Sequence, residues 1–375
     1  MDAKKNDYVL LKGNEAIAKA AIRYGYDGFF GYPITPQSEV LETLAVDKPW
    51  ETTGMVVLQA ESELASINML YGAGCTGKLA FTSSSSPGIA LMQEGISYMA
   101  ACELPGVIVS VGRGGPGLGT IQPGQADYNQ AVYGGGNGDY NLIVLAPNSV
   151  QEMCDCMGKA KELTFKWRVP VVVLSDGVIG QMMEKVLLPE YTPRRTDEDI
   201  HQQCPWATNG IGLKNRHYNV HSSLEFDPLV MEERNHKMTE KYARIEAEEV
   251  DYEYYMADDA EWLIVAYGIS SRVGMKAVDI LRKKGINAGM FRPKTLWPFP
   301  NRVLFDTASK YKGILCVEQS EGQLVKDVRI AVEGQTYVSH YGRSGGMIAS
   351  PVEVYHAFKK MMEESVNSKK GYWIK

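Results

Sequence analysis

Along the first half of the chain, short apolar runs alternate with helix-length segments. The runs are Phe29-Phe30, 56–59, 79–82, 106–111 (GVIVSV), 142–146 (LIVLA) and 171–175 (VVVLS). Most are continuously apolar rather than apolar at every second position. A strand of that kind needs cover on both faces, and strands separated by helices run parallel. The pattern predicts an α/β fold, a doubly wound parallel sheet with helices over 62–75, 89–102 and 149–167. Such sheets bind ligands outside the carboxyl ends of their strands.

Two of those ends carry unusual segments. In Gly31-Tyr32-Pro33-Ile34-Thr35-Pro36, two prolines bracket Ile34-Thr35, so Thr35 is held stiffly with its hydroxyl free to face a ligand. Pro36 suits the first position of the next helix, whose apolar face is Val40, Leu41, Leu44 and Ala45. Asn14 suits the cap of the helix before it. Gln59-Ala60-Glu61-Ser62-Glu63 follows strand 56–59 and brings two carboxylates to the same rim. As acids at a helix start, both are also favoured by the helix dipole, with no chemistry required.

A chain of 375 residues predicts two domains. Residues 1–190 form the first, and 191–257 a polar connector with an amphipathic helix from Pro228 to Glu249. A second α/β unit covers 258–375, with strands at 262–267, 287–291, 313–318 and 336–340 and a polar tail ending in Tyr372-Trp373. Within it, Arg292 to Pro300 is an aromatic, proline-rich turn suited to packing one domain on the other.

Several function classes drop out. Lys+Arg (39) against Asp+Glu (45) gives −6, and no basic run appears, so no nucleic acid is expected. No stretch reaches eighteen apolar residues, so no membrane span is expected. The start, MDAKKNDYVLLKG, lacks the apolar run of a signal peptide. Cys75, Cys102, Cys154, Cys156, Cys204 and Cys316 are scattered without metal or cluster spacing. They read as reduced thiols of a cytoplasmic protein that cannot hold an iron–sulfur cluster alone. His201, His217, His221 and His236 lack zinc spacing and read as surface or interface residues. The glycine-rich stretches 112–119 and 134–138 match neither a dinucleotide fingerprint nor a P-loop. They read as loops moulded around a bound group or a partner chain.

Glu63 opens a longer pattern, Glu-x8-Gly-x4-Gly-Lys through Gly72, Gly77 and Lys78, then an apolar strand and a Ser-rich Pro-Gly turn. This resembles the pyrimidine-binding domain of thiamine diphosphate enzymes. The resemblance implies that Glu63 hydrogen-bonds a ring nitrogen of the cofactor's aminopyrimidine, a task for a carboxylate sharing a proton in a dry site. Glu61, two residues away, is the rival; the glycine spacing favours Glu63.

GYPITP itself is similar to the Tyr-Pro-Ile-Thr-Pro segment of the α subunit of 2-oxoacid:ferredoxin oxidoreductases. The likeness runs on through Thr82-Ser83-Ser84-Ser85-Ser86-Pro87-Gly88, Arg113-Gly114-Gly115-Pro116-Gly117, Gln125-Ala126-Asp127-Tyr128, Val144-Leu145-Ala146-Pro147 and Arg292 to Pro300. It implies that Thr35 and Arg113 bind the 2-oxo acid, the guanidinium suiting its carboxylate. It also implies that Tyr32, Pro33, Ile34 and Ser86 join Glu63 around the cofactor, and that the second unit is a transketolase-C-like domain serving assembly. The serine run, Gln59 to Glu63 and Gly134 to Tyr140 look most like the branched-chain (2-oxoisovalerate) subgroup. The 2-oxoglutarate and pyruvate enzymes, and a non-catalytic scaffold subunit, are the alternatives.

The implied reaction is coenzyme A-dependent oxidative decarboxylation with reduction of ferredoxin. The Gly-Asp-Gly…Asn signature that holds diphosphate and magnesium in such enzymes is not found here. The resemblance therefore implies half of an active site. A β subunit would bring the diphosphate and Mg2+, with [4Fe-4S] clusters on partner chains, ferredoxin-like and γ subunits completing the complex, and an external ferredoxin as acceptor.

Overall fold

The structure is a computed structural model that describes residues 8–208, 210 and 219–367. His217 and Tyr372-Trp373 lie outside the described residues.

In chain order the strands are β1 Tyr8–Lys12, β2 Gly28–Gly31, β3 Val56–Gln59, β4 Ala80–Ser84, β5 Val107–Gly112, β6 Ile143–Leu145 and β7 Val171–Asp176. Then come β8 Met183–Leu187, β9 Tyr252–Tyr255, β10 Trp262–Val265, β11 Ala288–Pro293, β12 Thr295–Trp297, β13 Ile314–Glu318 and β14 Val338–Gly342. The first sheet has the order β12-β6-β7-β5-β4-β2-β3, the second β14-β13-β10-β11-β9, and β1 pairs with β8. From β6 to β3 every pairing in the first sheet is parallel, as the strand–helix alternation predicts. β4, β5 and β7 are buried at every position, which is why β5 and β7 read as nearly continuous apolar runs rather than alternating ones.

The two units interlock. β12 comes from the second half of the chain but pairs antiparallel with β6 of the first sheet. Beside it, the fully buried Arg292 bonds Glu152 from the first unit, and Glu253 at 2.9 Å. Trp297 packs edge-on against Tyr242 of the helix Pro228–Glu248, ring centroids 5.6 Å apart. That helix is held to the first unit by Lys241 Nζ bonding Glu103 at 2.8 Å.

Local differences from the sequence reading have physical causes. The helix expected from 89 starts at Ser86, because proline is tolerated in a first turn and Pro87 sits there. Asn14 lies inside the helix Gly13–Arg23 rather than capping it: Lys12 takes the cap position, its N–H bonded to the Glu15 carboxylate at 2.8 Å. Pro36 does not open a helix either, since the next one runs Glu39–Asp47. Its carbonyl is taken by Asn14 Nδ2 (2.7 Å) and Gln181 Nε2 (2.9 Å). Residues 252–255, which fall in the polar connector by composition, form the antiparallel edge of the second sheet. Among the described residues no helix is long and apolar enough to cross a membrane. All six cysteines are free thiols.

Candidate active site

At the carboxyl end of β2 the chain leaves the sheet as a tight turn with a cis Thr35–Pro36 peptide. Buried Gln37 fastens it: Nε2 donates to the Tyr32 carbonyl at 3.2 Å and Oε1 accepts from Ser83 Oγ at 2.6 Å. With Pro36 and Gln37 buried, Tyr32, Pro33 and Thr35 are left exposed and Ile34 half-buried. The turn is thus a fixed tip at the sheet's rim.

Glu61 and Glu63 separate cleanly in space. Ser62 is the cap of the helix Glu63–Cys75, its Oγ accepting Ala65 N–H at 3.2 Å. This sends Glu61 outward into solvent and turns Glu63 inward to 5% exposure. Among the described residues no hydrogen-bond donor reaches the Glu63 carboxylate. It lies against Gly88, where a Cβ would fall 2.4 Å from Glu63 Oε1 and 2.1 Å from Ser84 Oγ. The side chain is buried while its carboxylate oxygens keep access to the open rim, where a ligand that shares a proton with them fits. Buried Ser85 Oγ, at the cap of the neighbouring helix, lacks a partner among the described residues.

Arg113 follows β5. It is 8% exposed, its Nη1 donates to the Thr35 carbonyl at 3.1 Å, and its buried Nε has no partner among the described residues. Its loop folds back as a hairpin, Arg113 bridging Pro123. Gly119 must be glycine there, with φ +58° and the Gly114 carbonyl in the way of any Cβ. Ser86 Oγ accepts the Arg113 N–H at 3.0 Å and faces Asp127 Oδ2 at 2.5 Å. Burial pushes the Asp127 carboxyl up to about 6 against the opposing pull of Ser86 and Arg113.

Hydrogen bonds therefore join Thr35, Arg113 and Ser86, and Glu63 lies against the first turn of the helix that Ser86 opens. Tyr32, Pro33 and Ile34 share the turn but bond none of Glu63, Ser86 or Arg113. Sequence reasoning missed Asp127 and Gln37 as parts of this cluster; the Gln-Ala-Asp-Tyr segment was the available signal for Asp127. Among the described residues no group of three or more His, Cys, Asp or Glu is placed to hold a metal ion.

Comparison with known proteins places the chain in a family. Residues 19–253 match the profile described as pyruvate flavodoxin/ferredoxin oxidoreductase, thiamine diphosphate-binding, and 260–354 that of pyruvate:ferredoxin oxidoreductase core domain II. The chain is 46% identical to ketoisovalerate oxidoreductase subunit VorB of Methanothermobacter thermautotrophicus, over 96% of this chain and 98% of the relative. It is 34% identical to 2-oxoglutarate synthase subunit KorA of Methanothermobacter marburgensis, over 94% of this chain and 98% of that one. The solved 2-oxoglutarate:ferredoxin oxidoreductase of Magnetococcus marinus superposes with a TM-score of 0.81 at 26% identity. That match takes in 96% of this chain and 66% of the other. A split-gene transketolase shares the fold, with a TM-score of 0.59 at 14% identity over 94% of this chain and 98% of that one. The chain belongs to the 2-oxoacid:ferredoxin oxidoreductase family and carries that family's thiamine diphosphate-binding domain.

Proposed function

We propose that this chain is the α-type subunit of a branched-chain 2-oxoacid:ferredoxin oxidoreductase and that Glu63 is its catalytic carboxylate. The reaction converts a 2-oxo acid such as 2-oxoisovalerate, coenzyme A and oxidised ferredoxin to acyl-CoA, carbon dioxide and reduced ferredoxin. One observation carries this reading: a carboxylate buried at a helix start, beside a glycine that leaves it room, with no hydrogen-bond donor of its own.

When bound, thiamine diphosphate supplies the carbon nucleophile that lets the 2-oxo acid lose carbon dioxide. Glu63 would hold a ring nitrogen of the aminopyrimidine by sharing a proton with it. The Tyr32-Pro33-Ile34 turn and Ser86 bound the cofactor's side of the pocket. The Arg113 guanidinium takes the substrate carboxylate, and Thr35 orients it from the exposed tip.

The site is half of a pocket. Leu64, Leu91 and Tyr98 are exposed on the two helices around Glu63, which suits cover by a β subunit. That subunit would hold Mg2+ and the diphosphate, with [4Fe-4S] clusters in partner chains and ferredoxin-like and γ subunits in a cytoplasmic complex. The 46% identity to a ketoisovalerate enzyme subunit, against 34% to a 2-oxoglutarate synthase subunit, supports the branched-chain substrate.

The test is the complex purified without oxygen, assayed for thiamine diphosphate, iron and sulfide and then given a panel of 2-oxo acids. The reading expects bound thiamine diphosphate and the highest kcat/KM for 2-oxoisovalerate. A preference for 2-oxoglutarate or pyruvate overturns the substrate, and a complex without the cofactor overturns the chemistry.

A further inference from the structure

The loop residues 125–128 are gripped by the second unit from several directions. Gln125 N–H donates to the Gln319 carbonyl at 3.0 Å, and Gln125 Nε2 to the Tyr267 carbonyl at 3.0 Å. Gln125 Oε1 accepts from Ser270 Oγ at 2.7 Å and from Gln319 N–H at 2.9 Å. The Ala126 carbonyl accepts from Gln323 Nε2 at 2.8 Å, and the Tyr128 hydroxyl bonds Asp327. Asp127 is the member of the segment that instead faces the first unit's site.

Ser86 has one hydroxyl proton and two acceptors for it: Asp127 Oδ2 at 2.5 Å and the Arg113 carbonyl at 3.3 Å. A carboxylate is the stronger acceptor and is closer, so it takes the proton. The Ser86 lone pairs are then left for the Arg113 N–H at 3.0 Å. Without the carboxylate the hydroxyl turns to the Arg113 carbonyl and the hold on the Arg113 N–H weakens. The Arg113 guanidinium, held at its far end by the Thr35 carbonyl, is then aimed less well.

We propose that Asp127 is a positioning residue: through the Ser86 hydroxyl it fixes the Arg113 backbone and aims the guanidinium at the substrate carboxylate. The second unit thereby takes part in substrate binding as well as assembly. The proposal rests on the reading of Arg113 as the substrate's anchor.

The experiment uses the assembled complex and steady-state kinetics with 2-oxoisovalerate. Asp127→Ala raises KM about tenfold with kcat within about twofold, the loss of roughly one well-made hydrogen bond. Asp127→Asn restores most of the lost affinity, because an amide oxygen still accepts the Ser86 proton. Ser86→Ala raises KM at least as much as Asp127→Ala, and the double variant has no higher KM than Ser86→Ala alone, as members of one chain behave. Gln323→Ala, which loosens the grip from the second unit, moves KM in the same direction.

An unchanged KM in both Asp127→Ala and Ser86→Ala overturns the proposal, as does a fall in kcat at constant KM. So does additivity of the two losses. Should Asp127→Ala fail to assemble, Ser86→Ala decides the matter by the same KM criterion. Arg113→Met separates the two layers: a raised KM there with none in the Asp127 and Ser86 variants sinks only the positioning role. An unchanged KM in Arg113→Met sinks the anchor reading itself.

Discussion

Gly88 lies directly under the Glu63 carboxylate, so close that a Cβ there would stand 2.4 Å from Glu63 Oε1. The two positions are 25 residues apart in sequence (88 − 63), on the first turns of neighbouring helices. The glycine leaves room for the carboxylate, and the carboxylate explains the glycine.

Gly88→Ala is therefore expected to displace Glu63. The overpacking costs about 1–3 kcal/mol of stability, and turnover of the assembled complex falls on the order of tenfold or more. Thermal unfolding with an anaerobic turnover assay checks both. Wild-type turnover in this variant would show that the close fit of glycine to carboxylate has no bearing on the chemistry.

Arg113→Met is expected to weaken substrate binding by about 1.5–3 kcal/mol, the range for a hydrogen bond to a charged group. That is roughly a 10- to 100-fold rise in KM, with a smaller change in kcat. The comparison of KM for the 2-oxo acid with KM for coenzyme A tells whether the loss is specific to the carboxylate.

Asp176 offers a pH prediction. Burial raises its carboxyl from 3.8 to about 6, against the pull of the Ile179, Ile269 and Val178 N–H groups it accepts from. A carboxyl with a raised folded-state pKa contributes stability below its unfolded value, and that stability is lost as pH rises through the folded value. Relative to Asp176→Asn, the wild type should thus lose stability between about pH 4 and pH 6, on the order of 3 kcal/mol in all. Melting curves of both proteins across that window measure it; parallel pH profiles would contradict it.

Arg292 is buried between Glu152 and Glu253, with about 1% of its side chain exposed. Its partners Glu152 and Glu253 keep 24% and 37% of their side chains exposed and can be rehydrated, so removing Arg292 costs on the order of 1–3 kcal/mol, less than for a fully buried pair. Arg292→Ala is expected to lower stability by that much in chemical denaturation. In whatever complex still assembles, KM for the 2-oxo acid should stay put, since Arg292 lies at the junction of the two units rather than at the rim near Arg113.

How much of this was legible in the sequence depended on what each residue answers to. The parallel sheet was readable because β4, β5 and β7 are covered on both faces, and β5 and β7 are mostly apolar there, with their polar residues towards the carboxyl ends. β12 was not, because Thr295-Leu296-Trp297 lies between prolines and becomes a strand only by meeting β6, 150 positions earlier (Thr295 against Leu145). The early start at Ser86 was hidden because Pro-Gly signals a turn as well as a first helical turn. Glu61 and Glu63 were nearly equivalent by composition. Their separation needed the Ser62 cap, which turns one out and the other in. The Gln-Ala-Asp-Tyr segment marked Asp127, but not its role, since its partner Ser86 is 41 residues away and the meeting is made by the fold.

Everything proposed for the site turns on whether the buried carboxylate of Glu63 acts on the cofactor. The direct measurement is 2-oxoisovalerate-dependent reduction of ferredoxin by the Glu63→Gln complex, with subunit and thiamine diphosphate content determined on the same sample. The expected result is an assembled complex whose kcat is lower by about 10²–10⁴, the usual worth of a positioned acid–base group. An assembled complex with full turnover would contradict it and leave the chain a scaffold for a site held elsewhere.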